Sequence, residues 1–193
     1  MHHYFQLERQ QRLTNHLITF TNANWNTPQL VQVTASDDNI VNGDVGPSNI
    51  TFSVVNADSD NNFDDISSTV ALTVFDNDTP GFTLGTGSLF LTEGEDDTVS
   101  VVLTKQPLGN VRISASLRNV DFDGRASLTN HVLNFDASNW NVAQLLQVTA
   151  SDDLIDNGNE GPHSDGITFS IVQASTTALF DAVANQPIAL TVF

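Results

Sequence analysis

Carboxylates follow several strand-like stretches of the chain. In its second half they occupy residues 93–97 (EGEDD), 121–123 (DFD) and 151–160 (SDDLIDNGNE). Similar stretches occur earlier, at residues 36–44 (SDDNIVNGD) and 75–79 (FDNDT). Calcium takes six to eight hard oxygen ligands, and carboxylates from several loops can supply them. These residues are therefore candidate cation ligands, provided that the fold brings their loops together.

The acidic stretches belong to a sequence that repeats itself. Trp25 returns as Trp140, an offset of 115 positions (140 − 25). LTNHLITF from Leu13 returns as LTNHVLNF from Leu128, and the VTASDD that starts at Val33 starts again at Val148. A period of this length is that of a small domain and exceeds the periods of solenoid repeats. Because repeated domains usually supply length, spacing or avidity, the repeat favours a structural or adhesive role.

Alternating hydrophobicity predicts strands almost throughout the chain. In VRISASLR, residues 111–118, apolar side chains take one face while arginine and serine take the other. Seven strands are predicted after Pro80, and we name them A to G: residues 81–91, 97–104, 110–118, 128–135, 143–150, 166–173 and 187–193. Gly, Pro, Asn and Asp punctuate them at the spacing of an all-β sandwich.

The acids are predicted to gather at one end of this sandwich. Strands that run alternately up and down place the loops after A, C and E at the same end, and these loops are the acidic ones. The 105–107 turn, the Trp140 loop and the Phe180 loop fall at the other end. Two carboxylates about 5 Å apart repel by roughly 3 kcal/mol at an effective dielectric constant near 20, so converging carboxylates must either bind a cation or splay apart.

The first repeat is incomplete, because residues 13–75 match only strands D to G. Residues 1–12 are too few and too polar to supply A, B and C. We therefore expect an unpaired strand edge and an exposed inner face. That face would carry Val31, Val33, Ile50, Phe52, Val70, Leu72 and Val74. The chain could be a fragment of a longer array, receive strands from another chain by β-addition, or use residues 1–12 as a cover.

The predicted organisation has three parts. Residues 1–12 form an N-terminal extension or a tag-like segment, residues 13–78 a partial repeat with an acidic linker, and residues 79–193 a complete repeat.

Three motifs resemble those of a known family. They are the Thr-Glu-Gly from Thr92, the NWNTPQ of residues 24–29 followed by VxVTASDD, and the VFDNDT of residues 74–79. Together they resemble Calx-β-type repeats, which occur in sodium-calcium exchanger regulatory domains and, as long arrays, in bacterial surface adhesins. The resemblance covers residues 13–193. It implies tandem Greek-key β-sandwiches of immunoglobulin-like type that bind Ca²⁺ at one pole, near the joint with the next repeat.

The resemblance also implies a set of calcium ligands. In the complete repeat the matching positions are Glu93, Asp121, Asp123, Asp152, Asp153 and Glu160. In the partial repeat they are Asp37, Asp38, Asp44, Asp76 and Asp78. A plainer interpretation of each residue is that Asp favours turns and solvates a surface.

Two tryptophans and two histidines are also paired by the repeat. Trp25 and Trp140 could stack on a sugar, but a ring that plugs one end of the sandwich is the better interpretation, because aromatic side chains bury large areas. His16 and His131 each fall on strand D without a further His or Cys nearby. They are predicted to be half-exposed strand residues, not zinc ligands.

Composition excludes several classes of function. With 23 acidic and 6 basic residues among 193, the formal net charge is −17. Such a field repels nucleic acid phosphates and attracts cations. There is no cysteine and no apolar run long enough to cross a bilayer. Catalytic motifs such as a nucleophile elbow or a phosphate loop are absent from the sequence, so we expect no enzyme, nucleic acid partner or membrane insertion.

The sequence thus predicts a calcium-binding structural or adhesive module of a large extracellular or cell-surface protein of bacteria. Its expected partners are neighbouring repeats, other copies of itself, and a surface glycan or protein. Two alternatives are a self-assembling filament subunit that is completed by β-strands of its neighbours, and a carbohydrate-binding module that uses Trp25 or Trp140.

Overall fold

The computed structural model describes residues 11–118, 124–152, 162–172 and 178–193. It divides into two compact units. Unit 1 contains the described residues up to Asp38 together with Asp44–Asp76. Unit 2 contains Asn39–Gly43 and the described residues from Asn77 to Phe193.

Strands make up about half of the described chain. They are β1 (Gln11–Thr14), β2 (Gln32–Ala35), β3 (Ile40–Val41), β4 (Val45–Ser53), β5 (Ser67–Val74), β6 (Phe82–Leu84), β7 (Ser88–Leu91), β8 (Asp96–Leu103), β9 (Gln106–Pro107), β10 (Val111–Leu117), β11 (Ala126–Thr129), β12 (Val132–Phe135), β13 (Gln144–Ala150), β14 (His163–Ile171) and β15 (Gln186–Val192). Two short 3₁₀ turns, Asn56–Asp58 and Asn61–Phe63, connect β4 to β5.

Unit 2 is a two-layer sandwich. One sheet has the order β12-β10-β14-β15-β7 and the other the order β11-β13-β8-β6. Neighbouring strands are antiparallel except β7, which runs parallel to β15. The predicted all-β sandwich is confirmed.

Predicted strands A and D are each divided between the two sheets, whereas the sequence pattern predicts each as one strand. Strand A becomes β6 in one sheet and β7 in the other, with Gly85 and Gly87 in the connection. Strand D becomes β11 and β12, separated by Asn130 at φ 58°. Asn tolerates this left-handed conformation better than most residues, which lets the chain turn from one sheet to the other.

The core of unit 2 follows the alternation of its strands. In β10, Val111, Ile113 and Ala115 are buried while Arg112 and Ser114 are partly exposed. Phe135, Phe169 and Phe180 are among the largest fully buried side chains. Burial of an aliphatic or phenylalanine side chain contributes about 1.5–3 kcal/mol, so this shared interior is the main source of the stability of unit 2.

Unit 1 contains two antiparallel pairs, β1 with β2 and β4 with β5. Leu13 lies opposite Val33, as Leu128 lies opposite Val148 in unit 2. Likewise Ile50 lies opposite Val70, as Ile167 lies opposite Ile188. The two repeats therefore share strand register, and unit 1 supplies the D–E and F–G pairs. Among its described residues, no strands correspond to A, B and C.

In the part of unit 1 that the structure describes, several inner-face residues are open to solvent. Phe52 is 37% exposed, against 0% for its counterpart Phe169. Phe63 is 58% exposed, against 0% for its counterpart Phe180. Phe63 is therefore not buried as Phe180 is, since the described residues of unit 1 include no counterparts of strands A, B and C. The inner face of unit 1 is less exposed than expected at one position, because Ile50 is buried.

Candidate cation-binding pole

Two of the predicted acidic loops meet at one end of unit 2. Gly94 N donates a hydrogen bond to Ala150 O at 3.2 Å, and Ala150 N donates to Glu95 O at 2.8 Å. Glu93 N donates to Phe193 O at 3.2 Å. The turn between β7 and β8 is thus bonded to the end of β13 and to the residue after β15. We call this region of residues 92–95, 124–125 and 150–152 the acidic pole.

Asp152 lies beside this turn. Gly94 has φ 80°, and a Cβ built on it would lie 3.8 Å from the Cβ of Asp152. Glu95 is used within the turn, since its Oε2 accepts a hydrogen bond from Thr92 N at 2.9 Å. Glu93 and Asp152 are therefore the predicted ligands that the described chain brings to the same end.

A basic residue also lies at the acidic pole. Arg125 Nη1 is 3.5 Å from Glu93 Oε1, and both side chains are partly buried. The backbone of Arg125 accepts a hydrogen bond from Ser151 N at 2.8 Å, and Ser151 Oγ donates to Gly124 O at 2.6 Å. Arg125 was not among the residues predicted from the sequence. Its position indicates a role at this pole, because it lies two residues after the acidic 121–123 stretch in a chain with few basic residues.

The other predicted ligands of the complete repeat, Asp121, Asp123, Asp153 and Glu160, lie outside the described residues. Within residues 11–118, 124–152, 162–172 and 178–193, no group of three or more His, Asp or Glu side chains is arranged to hold a metal ion. The described part of the acidic pole therefore supplies two carboxylates and a guanidinium.

In unit 1, the aspartates of the partial repeat lie next to the ends of its strands. Asp44 Oδ1 accepts a hydrogen bond from Asp76 N at 2.8 Å, which ties the residue before β4 to the second residue after β5. Asp37 is exposed and Asp38 is partly exposed, both just after β2. Asp44 and Asp76 are thus brought together.

Asp78 has a different environment, in unit 2. Its side chain is 4% exposed, and Oδ1 lies 2.5 Å from Lys105 Nζ. Lys105 Nζ also donates to Asn39 Oδ1 at 3.0 Å. A buried carboxylate requires such a partner, because an unpaired buried charge is costly. Asp78 therefore neutralises a lysine in this structure.

Residues 39–43 complete this part of unit 2. β3 pairs in parallel with β9, so that Ile40 lies opposite Gln106 and Val41 opposite Pro107. Gln106 N donates to Asn39 O at 2.8 Å, and Val41 joins the hydrophobic core. Residues 36–44 were predicted to form an acidic loop. The apolar pair Ile40-Val41 inside this stretch indicates instead that part of it is buried.

The Asn-Trp turn has the same hydrogen bonds in both repeats. Asn139 Oδ1 accepts from Asp136 N at 2.7 Å, and Asn139 Nδ2 donates to Asn134 O at 3.2 Å. Gln144 Nε2 donates to the same Asn134 oxygen. In the first repeat Asn24 and Gln29 bond to Thr21 and Thr19 in the same way. The NWNxxQ pattern is explained by this turn, without a ligand.

Asp136 begins the second of these turns. Its pKa is lowered because Ser138 donates to it from both its hydroxyl, at 2.6 Å, and its backbone N–H, at 2.7 Å. Desolvation opposes this effect in part, and a backbone hydrogen bond with Asn139 adds to it. Thr21 replaces Asp136 in the first repeat, with Ala23 N donating to its hydroxyl at 3.3 Å.

The tryptophans and histidines that the repeat pairs differ in how well their predicted environments agree with the structure. Trp140 packs against the core of unit 2, as expected of a plugging ring. Trp25 is 72% exposed, so the plugging interpretation is wrong for the first repeat. His131 lies between β11 and β12, and His16 lies just beyond β1, so neither is a strand residue. Both are exposed.

Comparisons with known proteins give a fold likeness only. No protein-family profile and no curated protein matches the sequence. Among solved structures, the chain resembles the Salmonella enterica SafA pilin in complex with the SafB chaperone, at 13% identity and a TM-score of 0.42, over 57% of this chain and 53% of that one. It resembles the apo form of the Calx CBD1 domain at 11% identity and a TM-score of 0.41, over 60% of this chain and 97% of that one.

A third structure, a chaperone-tip adhesin complex of CFA/I fimbriae biogenesis, matches at 12% identity and a TM-score of 0.40, over 57% of this chain and 56% of that one. The match thus spans little more than half of the two chains from pilin and fimbrial complexes. Likeness at this level carries no inference about ligands or partners. In the described residues, none of the helical segments has the length and apolar character needed to cross a membrane.

Proposed function

We propose that this chain is a calcium-binding structural module from an array of repeats in a large extracellular or cell-surface protein of bacteria. The observation that carries the proposal is the register shared by the two repeats, in the D–E pair and again in the F–G pair. A second copy of the same domain adds length and spacing to a protein, whereas catalysis seldom requires a second copy.

The donors at the acidic pole suit a hard cation. Glu93 and Asp152 lie at the same end of unit 2, and carboxylate oxygens are the ligands that calcium prefers. Asp121, Asp123, Asp153 and Glu160 are proposed to complete this set from the neighbouring loops. In the partial repeat Asp37, Asp38, Asp44 and Asp76 are proposed ligands, whereas Asp78 belongs to unit 2 and is paired with Lys105.

Arg125 gives this proposal a specific consequence. Its guanidinium lies next to Glu93, and at 3.5 Å the pair is too long to be a strong charge-assisted hydrogen bond. We expect a bound calcium ion to compete with Arg125 for the Glu93 carboxylate. Calcium would hold the loops of the pole together and stiffen the array, and its removal would leave them mutually repulsive.

A second candidate function is a filament subunit that is completed by strands of a neighbouring copy. The exposed inner face of unit 1, with Phe20 and Phe52, supports it. A single small species in solution would count against this candidate. Neither candidate is an enzyme, and a surface glycan or protein remains a proposed partner of both.

The test is isothermal titration of the full chain with calcium. The double variant Asp152→Asn/Asp153→Asn should lose most of the heat of binding to unit 2. Asp58→Asn makes the same type of charge change in an exposed turn of unit 1 and is the control, which should titrate like the parent chain. If the double variant binds calcium as the parent does, the site is not at the acidic pole.

A further inference from the structure

We propose that a polar pocket on the outer face of β10 and β12, in unit 2, binds one ring of a neutral sugar. The pocket has a volume of about 260 Å³, and the described residues that line it are Asn110, Arg112, Asn134, Phe135 and Asp136. It lies beside the Asn-Trp turn, at the start of β13, whereas the acidic pole lies at the end of that strand. The inference goes beyond the calcium-binding function and does not depend on it.

The strand register brings the polar side chains together. Arg112 of β10 lies opposite Asn134 of β12. Continuing the same register brings Asn110 beside Asp136. The intervening residue of each strand is buried in the core. Because alternate side chains of a strand point to opposite faces, the four polar side chains share the outer face of the sheet.

Hydrogen bonds hold the β12 side of the pocket in place. Asn134 O accepts from Asn139 Nδ2 and from Gln144 Nε2, and Asn134 N donates to Gln144 Oε1 at 3.2 Å. Ser138 holds the Asp136 carboxylate through its hydroxyl and its backbone N–H. The pocket is therefore formed before a ligand arrives, which reduces the entropy lost on binding.

The pocket offers both donors and acceptors. Arg112 is partly exposed, and its guanidinium has several N–H donors to offer in addition to its contacts within the chain. The amides of Asn110 and Asn134, both exposed, each donate and accept. A carboxylate accepts about four hydrogen bonds, and at Asp136 two of them come from Ser138. Since a hydroxyl group also donates and accepts, a ring that carries several hydroxyls matches this lining.

The charges in the pocket favour a neutral ligand. Asp136 and the net charge of −17 repel an anion, and Arg112 repels a cation that approaches the pocket. A free amino acid carries its two charges on neighbouring groups of one carbon atom. Arg112 and Asp136 are instead diagonal neighbours on two strands, a position at which residues lie about 7–8 Å apart. A zwitterion of that size meets one charge and leaves the other unpaired.

The volume limits the ligand to a single ring. Pockets for drug-sized ligands usually have volumes of about 300–1,000 Å³, and this pocket is slightly smaller. The remainder of a longer glycan would therefore lie in solvent. For a ligand of about twelve non-hydrogen atoms in an open pocket we expect a dissociation constant on the order of 1 mM.

The test is an NMR titration of the full ¹⁵N-labelled chain with the methyl glycosides of glucose, galactose, mannose and N-acetylglucosamine. Each glycoside is added to about 20 mM, well above the expected dissociation constant. We expect saturable shifts of the backbone amides of Asn110, Arg112 and Asn134 with at least one of them. The titration is made with calcium and again with a chelator, so that a failure of the calcium proposal is distinguished from a failure of this one.

Two variants test the assigned residues. Arg112→Gln and Asn110→Ala should each weaken binding of that glycoside, Arg112→Gln by at least tenfold. Arg118→Gln is the matched control, because it makes the same charge change at an exposed residue just after β10, and it should bind as the parent chain does.

Three results would overturn the proposal. The first is the absence of saturable shifts with all four glycosides in both buffers. The second is equal binding by Arg112→Gln and the parent chain, which would place the sugar elsewhere. The third is tighter binding of glycine than of any glycoside with the same dependence on Arg112, which would make the pocket a site for a zwitterion.

Discussion

Trp25 and Trp140 lie at the same position of the same hydrogen-bonded turn, yet only Trp140 packs against a core. Trp25 N donates to Thr21 O at 2.9 Å and Trp140 N donates to Asp136 O at 3.0 Å. The turn is therefore encoded locally, by the residues of each repeat. The environment of the indole ring depends instead on strands A to C, for which unit 1 has no counterpart among its described residues.

The two tryptophans should differ in their contribution to stability. Trp140→Ala should lower the free energy of unfolding of unit 2 by about 2–4 kcal/mol, because it removes a large ring from the edge of the core. Trp25→Ala should change stability by less than about 0.5 kcal/mol, as exposed substitutions usually do. Urea unfolding followed by circular dichroism measures both. Equal effects would show that Trp25 is covered in solution.

Asn139 should stabilise the turn through its two hydrogen bonds. Asn139→Ala removes the acceptor for Asp136 N and the donor to Asn134 O, and we expect a loss of about 1–2 kcal/mol. Asn141→Ala is the matched control, because Asn141 is exposed in the same turn. The explanation of the NWNxxQ pattern fails if both variants unfold at the same urea concentration.

The Asp78–Lys105 pair should be important for unit 2. Lys105→Ala leaves the Asp78 carboxylate buried without its cation, and we expect a loss of about 2–4 kcal/mol. In a Trp25→Phe background Trp140 is the one remaining tryptophan, so its fluorescence follows the unfolding of unit 2. Replacing both residues, as Lys105→Ala with Asp78→Ala, should restore part of the loss. If the double variant were no more stable than Lys105→Ala, the unpaired charge would not be the cause.

Asp136 gives a prediction for acidic pH. Its folded-state pKa is lowered, chiefly by the Ser138 hydroxyl, so its contribution to stability is complete above the unfolded-state pKa of about 3.9. The contribution is lost as the pH falls through the lower folded-state value. Asp136→Asn should therefore be less stable than the parent chain at neutral pH and nearly equal to it in strong acid. A stability difference that does not vary with pH would contradict this account.

Much of the fold follows from local sequence patterns. The alternation of residues 111–117 predicts β10 and its buried face, and the repeat predicts which strands unit 1 shares with unit 2. The division of strand D is not visible in that alternation, since it depends on the left-handed Asn130. The parallel bridge between β3 and β9 joins segments far apart in sequence, and no local pattern specifies such a contact.

The candidate site was less predictable than the fold. The convergence of the Glu93 turn with the end of β13 follows from strands that run alternately up and down, and alternating polarity predicts where those strands lie. Arg125 and Lys105 were missed because a search for cation ligands selects acids and ignores the basic residues that can neutralise them. Asp78 illustrates the consequence, because its place in an acidic linker gave no sign of a buried ion pair.

The most direct test of the central claim is thermal unfolding of the full chain with added calcium and with a chelator, beside size-exclusion chromatography in both buffers. A ligand present at about 100 times its dissociation constant adds about 2.7 kcal/mol to the native state. We predict a calcium-dependent rise of several degrees or more in melting temperature, with a single small species in calcium. An unchanged melting temperature, with large assemblies in either buffer, would contradict the calcium-stiffened module and favour a filament.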